Sequence, residues 1–328
     1  MILNRLQTIR VVLAAAGAAM LVALGAQAQT AAGAAWPSKP IRWVVPYPPG
    51  GPSDMVARLL GAKLAERIGQ AVIIENRPGG AGNIGVEYVM KAAPDGHAIV
   101  YAVPGIILNP FIVKSSPDYR DLAPVIQIAN ASWVLIASTG FAPKTVAEVI
   151  ALAKAKPGTV SCGSSGGLPT VACEWLRSYA RAEMIMVMYK GQGPALNALM
   201  GGEINLLFDG VSTAAAQVKA GRVRPLASLN SRRGGEIFAD LPTMAETIPG
   251  FELVTFHGVM APAATPRDII ARLNREFAAV LAQPDIRRRL TDTGFEVVAS
   301  SVEAFDDVLR RDSAKYGKIL KEAGIKPE

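Results

Sequence analysis

An α/β fold in two lobes, joined by two crossover segments, follows from three features of the 328-residue sequence. Short apolar runs alternate with stretches of helical periodicity, the pattern of a parallel sheet covered by helices. The alternation runs from Ile41 to Val103 and restarts at Thr145. An apolar extended segment, Trp133 to Ser138, lies between the two blocks, and a matching one, Phe251 to Met260, follows the second.

The elements read in order as follows. Ile41 to Val45 is a strand, and Pro46 to Pro52 a loop dominated by Pro and Gly. Ser53 is placed to cap a helix whose apolar residues Val56, Leu59, Leu60, Leu64 and Ile68 recur at three and four, and Gly69 ends it. Val72 to Glu75 is a strand, Asn83 to Ala92 a helix, and Ala98 to Val103 a third strand. In the second block the helices are Thr145 to Lys156, Pro169 to Arg181, Pro194 to Met200 and Ser212 to Ala220. The strands between them are Val160 to Cys162, Met184 to Met188, Ile204 to Phe208 and Arg224 to Ser228. Three helices close the chain, Pro266 to Leu281, Asp285 to Thr293 and Val302 to Ala323. The expected division is residues 36–135 and 255–328 in lobe 1, and residues 136–254 in lobe 2.

The N-terminus carries a location signal. Arg5 and Arg10 precede an unbroken apolar run from Val11 to Leu24, and Ala26-Gln27-Ala28 supplies a small-x-small cleavage site. This is the pattern of a secretory signal peptide over residues 1–28, and by it the mature chain is expected outside the cytoplasm. The run is short for a membrane span. Removing Arg5 and Arg10 takes the formal charge from +7 to +5, a mild excess. The run Arg287-Arg288-Arg289 reads as a solvated helix face, so no nucleic-acid partner is expected. At 50% hydrophobic and 19% charged, the composition excludes disorder and a coiled coil.

Two loops suit an anion. Pro46 to Asp54 joins a strand to a helix N-terminus, where unpaired N–H groups lie along the positive end of the helix dipole. Its glycines let a ligand approach the backbone, and its prolines keep the loop stiff. Gly163-Ser164-Ser165-Gly166-Gly167-Leu168-Pro169 repeats the arrangement in the second block. The same loop fits G-x-S-x-G, with Ser165 at its centre and Asp209 and His257 following in α/β-hydrolase order. Gly80, Gly82 and Gly85 mimic a dinucleotide fingerprint, but no acidic residue ends the next strand, and the reading is a tight glycine turn. Two histidines and two cysteines make no metal cluster, so neither a cofactor nor a metal is expected. In an oxidising compartment Cys162 and Cys173 are expected to pair, with two buried free thiols as the alternative.

Several short segments, in order, resemble the Bug-type receptors of tripartite tricarboxylate transporters. They are Trp36 to Ile41 leading into Val45 to Gly51, then Glu75 to Gly79, Ala92 to Gly96, Tyr189-Lys190-Gly191, Phe208-Asp209, Asp240 to Thr243 and Ala261-Pro262-Ala263. The resemblance implies a type II periplasmic binding-protein fold with a Venus-flytrap motion and no catalysis. It implies a monomeric solute-binding receptor that takes a small carboxylate and engages membrane transporter subunits transiently. By position, Tyr47, Pro48, Pro49, Gly50, Gly51 and Ser53 form the first-lobe loop, and Ser164, Ser165, Gly166, Gly167 and Thr170 the second. Tyr189 and Asp209 approach the cleft. The chain departs from the usual pattern at Ala102-Val103-Pro104, at Leu168 and Thr170, and at His257. Val103 and its neighbours suit an apolar, even aromatic, ligand body. Asp209, expected just after its strand, is assigned to selectivity, with capping of the next helix as its alternative. Two other functions compete: a secreted serine hydrolase using Ser165, Asp209 and His257, and a periplasmic ligand sensor for a signalling partner.

Overall fold

The computed structural model describes residues 36–165, 167–230, 233, 238, 240–322 and 324–327. The expected leader, residues 1–28, and Gly166 lie outside the described residues.

The first sheet is built from β1 (Ile41–Val45), β2 (Val72–Asn76), β3 (Ala98–Ala102), β4 (Leu122–Ala131), β10 (Thr255–Pro262) and β11 (Phe295–Val297), in the order β11-β4-β10-β3-β1-β2. β1 pairs in parallel with β2 and β3, while β10 runs antiparallel between β3 and β4. The second sheet is built from β5 (Trp133–Ser138), β6 (Ser161–Ser164), β7 (Ile185–Met188), β8 (Leu206–Gly210) and β9 (Val223–Ser228), in the order β7-β6-β8-β5-β9. β6 pairs in parallel with β7 and β8, and β5 is antiparallel to β8 and β9. Two sheets give two lobes, as expected, but each is mixed. The apolar extended segments expected to join the blocks enter the sheets as strands, because an apolar extended segment needs ladder partners for its backbone.

The chain crosses between sheets twice. The first crossing is at Ser132, between the ends of β4 and β5, so Trp133 to Leu135 pair in the second sheet. The return follows β9. The Leu229 N–H donates to the Trp133 carbonyl at 2.9 Å, and the Leu253 N–H to the Leu229 carbonyl at 3.0 Å. The Trp133 indole N–H also donates to the Thr255 hydroxyl, tying one crossing to the other. β10 begins only at Thr255, later than the expected Phe251.

Helices cover both sheets: α1 (Pro52–Ile68), α2 (Asn83–Met90), α3 (Gly105–Ile112), α4 (Val146–Ala155), α5 (Leu168–Ala180), α6 (Gln192–Met200), α7 (Val211–Lys219), α8 (Arg267–Leu281), α9 (Pro284–Asp292) and α10 (Val302–Glu322). Strand alternation sets the faces. Ile41, Trp43 and Val45 join one core with Leu60, Leu64 and Phe277, while Val44 joins another with Val100 and Ile107. Trp43 lies edge-on to Phe277, with ring centres 5.1 Å apart. Truncating so large a buried side chain to Ala costs about 3–5 kcal/mol. The core containing Val44 continues through Phe305, Leu309, Tyr316 and Leu320 of α10 to Leu176, Phe208 and Phe251 of the second lobe. The C-terminal helix therefore packs on both lobes.

Candidate functional site

The helices α1, α2 and α3 start at the C-terminal ends of β1, β2 and β3, and α5, α6 and α7 start at the ends of β6, β7 and β8. Each lobe thus turns one wall of helix N-termini, with their unpaired N–H groups, toward one end of its sheet.

The first wall is fixed by a polar network. The α1 helix is capped by Gly51, not Ser53, and Pro52 takes the first turn, where a missing N–H costs nothing. Ser53 sits half-buried in that turn. Asp54, buried, accepts from the Gly50 N–H at 2.9 Å and pairs with Arg58 through Nε at 3.0 Å and Nη2 at 3.0 Å. Arg58 also donates to Asn76 Oδ1 at 3.0 Å, and Asn76 Nδ2 donates to the Tyr47 carbonyl at 3.1 Å. Burial opposes ionisation of Asp54, but the bonds from Arg58, Gly50 and Asn76 outweigh it and hold the carboxyl below its usual range. Gly50, at φ +82°, occupies the left-handed region that glycine tolerates.

Tyr47 sits within this wall. A Cβ at Gly105 would lie 3.1 Å from its hydroxyl, and one at Gly82 would lie 3.5 Å away. Burial pushes the Tyr47 phenol up to about 12. Asn109 of α3 donates to the Ala81 carbonyl at 3.0 Å and to Asn83 Oδ1 at 2.7 Å, lacing the starts of α2 and α3 together. Gly85 is small for packing: a Cβ there would come within 2.9 Å of Pro46 and of the Arg77 carbonyl. Val103 is half-buried between β3 and α3.

The second wall holds a hydrogen-bonded chain. Ser164 and Thr170 meet through their hydroxyls at 2.7 Å. Gly167 caps α5 at φ +57°. Cys162 and Cys173 are disulfide-bonded, joining β6 to α5 across that loop. The Tyr189 N–H donates to the Ser164 carbonyl at 2.8 Å, and the ring is half-buried beside Gly163. Ser165 donates to Gln192 Oε1 at 2.7 Å, and Gln192 Nε2 donates to the Phe208 carbonyl at 2.8 Å and to Asp209 Oδ1 at 2.9 Å. Asp209 also accepts from the Gly210 N–H at 2.9 Å. Its Oδ2 is buried with no hydrogen-bond partner among the described residues. Burial, only partly offset by the bonds from Gln192 and Gly210, pushes its carboxyl up to about 6.

Several expectations change here. Asp209 lies inside β8, facing α6, rather than after the strand. It does not cap α7, whose cap is Gly210 with no side-chain bond. The helix expected from Pro194 begins at Gln192, which brings that side chain into the site. His257 lies in the core of the first sheet, bonded to the Tyr101 hydroxyl at 2.9 Å and edge-on to Phe295. Burial pushes its imidazole down to about 3. Ser165 is bonded to Gln192 and Asp209 to Gln192 and Gly210, while His257 belongs to the other sheet, so the hydrolase triad is not assembled. Among the described residues no group of three or more His, Cys, Asp or Glu side chains is placed to hold a metal ion. No described helix is long and apolar enough to cross a membrane.

Residues 56–325 match the family described as tripartite tricarboxylate transporter family receptor. A UPF0065 protein from the tcbD–tcbE intergenic region of Pseudomonas sp. strain P51 is 34% identical over 294 residues, spanning 88% of this chain and 87% of its own. An R. palustris protein solved with adipate is 32% identical, with a TM-score of 0.77 over 90% of this chain and 100% of that one. MatC of Rhodopseudomonas palustris, solved with malate, is 28% identical, with a TM-score of 0.74 over 87% of this chain and all of that one. The chain belongs to the tripartite tricarboxylate transporter receptor family.

Proposed function

We propose that this chain is a periplasmic receptor that captures a small carboxylate between its two walls and delivers it to the membrane subunits of its transporter. The observation that carries this is the matching build of the two walls. Each lobe ends its parallel strands in helix N-termini, and in each the loop is held by buried side chains. Such N–H groups favour a carboxylate, and holding them still lowers the ordering cost of binding. Relatives solved with adipate and with malate support the same ligand class.

The residues assigned to capture are Tyr47, Pro48, Pro49, Gly50, Gly51 and Ser53 on the first wall. On the second they are Ser164, Ser165, Gly166, Gly167 and Thr170, with Tyr189 beside them. Asp209 acts from behind the second wall, and His257 supports Tyr101 beneath the first. Val103 suits an apolar ligand body. The proposed lobes are residues 36–132 with 255–328, and 133–254; the expected boundary at residue 135 moves to Ser132 because Trp133 to Leu135 pair with β8 of the second sheet. Export is proposed to remove residues 1–28, so periplasmic protein should be lighter by that segment; a full-length membrane-bound species would refute it.

Thermal-shift screening against carboxylates, sugars and cations tests the receptor role. A ligand bound only by the native state raises the melting temperature by mass action. Stabilisation by carboxylates is the expected result. Tight binding confined to sugars or cations would overturn it.

A further inference from the structure

Hydrogen bonding in the second wall leaves Ser165 with a single polarity. The Phe208 carbonyl can only accept, so the Gln192 atom that faces it must be the amide nitrogen. That nitrogen spends its other proton on Asp209 Oδ1. The Gln192 oxygen is then fixed toward Ser165, 2.7 Å away, and an amide oxygen cannot donate. The one proton of the Ser165 hydroxyl is therefore committed to Gln192. What remains on Ser165 Oγ is acceptor capacity.

The anchoring of this chain is costly, which argues that it serves something. Asp209 is 1% exposed and leaves Oδ2 without a hydrogen-bond partner among the described residues. A buried carboxylate with one unsatisfied oxygen destabilises the fold. Burial raising its pKa to about 6 expresses the same cost. The carboxylate, the Phe208 carbonyl and the Gly210 N–H together give Gln192 one orientation. Ser165, by contrast, is half-buried on the β6–α5 loop, where the wall meets solvent.

We infer that Ser165 Oγ, oriented through Gln192 and Asp209, is an acceptor subsite that reads a hydrogen-bond donor, a hydroxyl or an ammonium, on the body of the captured carboxylate. This rests on the carboxylate-receptor role proposed above. The carboxylate itself is repelled by a lone-pair acceptor and is left to the backbone N–H groups. An acid that carries a donor gains one hydrogen bond, and an unsubstituted acid must leave Ser165 facing it unsatisfied. Gln192 and Asp209 are positioning residues here, acting only through Ser165.

Calorimetric titration of the full mature chain with matched acids tests this. Succinate, malate and aspartate differ only in having no added donor, a hydroxyl or an ammonium. Phenylacetate and mandelate make a second pair with an apolar body. In the parent protein the donor-bearing member of a pair should bind more tightly. Preference for malate or mandelate identifies a hydroxyl, and preference for aspartate an ammonium. Ser165→Ala should shrink the preference by roughly three- to tenfold, the scale of one neutral hydrogen bond. Gln192→Leu keeps the serine but frees its proton, so it should also bring the pair toward parity. A purely structural role would weaken both members equally and leave their ratio unchanged. Thermal unfolding without ligand checks that each variant is folded, and the two variants fail independently. Equal or tighter binding of the unsubstituted acids by the parent overturns the subsite and leaves the receptor role standing. Unchanged ratios in both variants do the same. Failure of every carboxylate to bind overturns the receptor role and the subsite with it.

Discussion

The Tyr101 hydroxyl and the His257 imidazole meet at 2.9 Å in the middle of the first sheet, with water excluded from both. Burial drives the imidazole down to about 3 and raises the Tyr101 phenol well above its ordinary value. Both rings are therefore neutral across the physiological range, and the pair is a satisfied piece of core.

This pair sets a pH dependence. Above the ordinary histidine pKa of about 6.5 neither the native nor the unfolded chain holds a proton at His257. As pH falls below that value, the unfolded chain takes up a proton that the native state refuses. The native state then loses up to about 1.4 kcal/mol per pH unit until pH nears 3. His257→Gln keeps a partner for Tyr101 but cannot titrate. Urea unfolding at pH 6, 5 and 4 should show a flatter stability profile in the variant than in the parent. Parallel profiles would mean that His257 protonates freely in the folded protein.

Asp209 acts with the opposite sign. Its folded pKa of about 6 lies above the ordinary 3.8, so between those values the native chain holds a proton that the unfolded chain has released. Its contribution to stability is full below 3.8 and is lost as pH rises through 6. Asp209→Asn removes the charge and keeps an acceptor for Gln192. The variant should melt above the parent at pH 8, and the difference should shrink at pH 5. A pH-independent difference would place a protonated or solvated carboxyl at this position.

The disulfide joins residues 11 apart in sequence, and it brackets the Ser165–Gly167 loop. Reduction, or Cys162→Ala with Cys173→Ala, should lower unfolding stability by roughly 3 kcal/mol in the loop-entropy model. Unfolding midpoints with and without reductant report it directly. Equal midpoints would show that the unfolded chain gains nothing from the freed loop.

Arg58 touches no proposed ligand position, yet it holds both Asp54 and Asn76. Arg58→Ala should loosen residues 47–51 and weaken every carboxylate by roughly tenfold, because loop ordering is then paid on binding. Titration of several acids should show the same loss for each. A loss confined to one acid would instead make Arg58 a direct contact.

The alternation of strands and helices was readable because binary patterning and Gly or Pro breaks are local properties. The disulfide was readable because only two cysteines exist and their elements are adjacent. What failed depended on partners distant in sequence. β4 was missed because Pro124 interrupts LAPVIQIANA, and only pairing with β10 reveals it as a strand. The α3 helix carries Pro110 and opens on Gly105, both of which read as loop. His257 reads as a cleft residue from its place in the chain, and its burial is set by Tyr101, 156 positions away. Gln192 carried no signal beyond lying next to Tyr189-Lys190-Gly191, since its meaning comes from Ser165, Phe208 and Asp209 together. The first-wall ion pair was legible in principle, as Asp54 and Arg58 stand four apart at a helix start.

The two chain crossings have a mechanical consequence. A single strand between two bodies is a swivel, free to turn about its own bonds. Here the segment at Ser132 and the returning segment at Leu253 run side by side, cross-linked by Trp133 to Leu229 and to Thr255. Two strips fastened together resist torsion and bend easily in one plane, as the leaf of a door hinge does. Together with the C-terminal helix, which packs on both lobes, they oppose twisting of one body against the other. In the proposed capture the walls would then meet in one register, a fidelity set by the backbone rather than by the ligand.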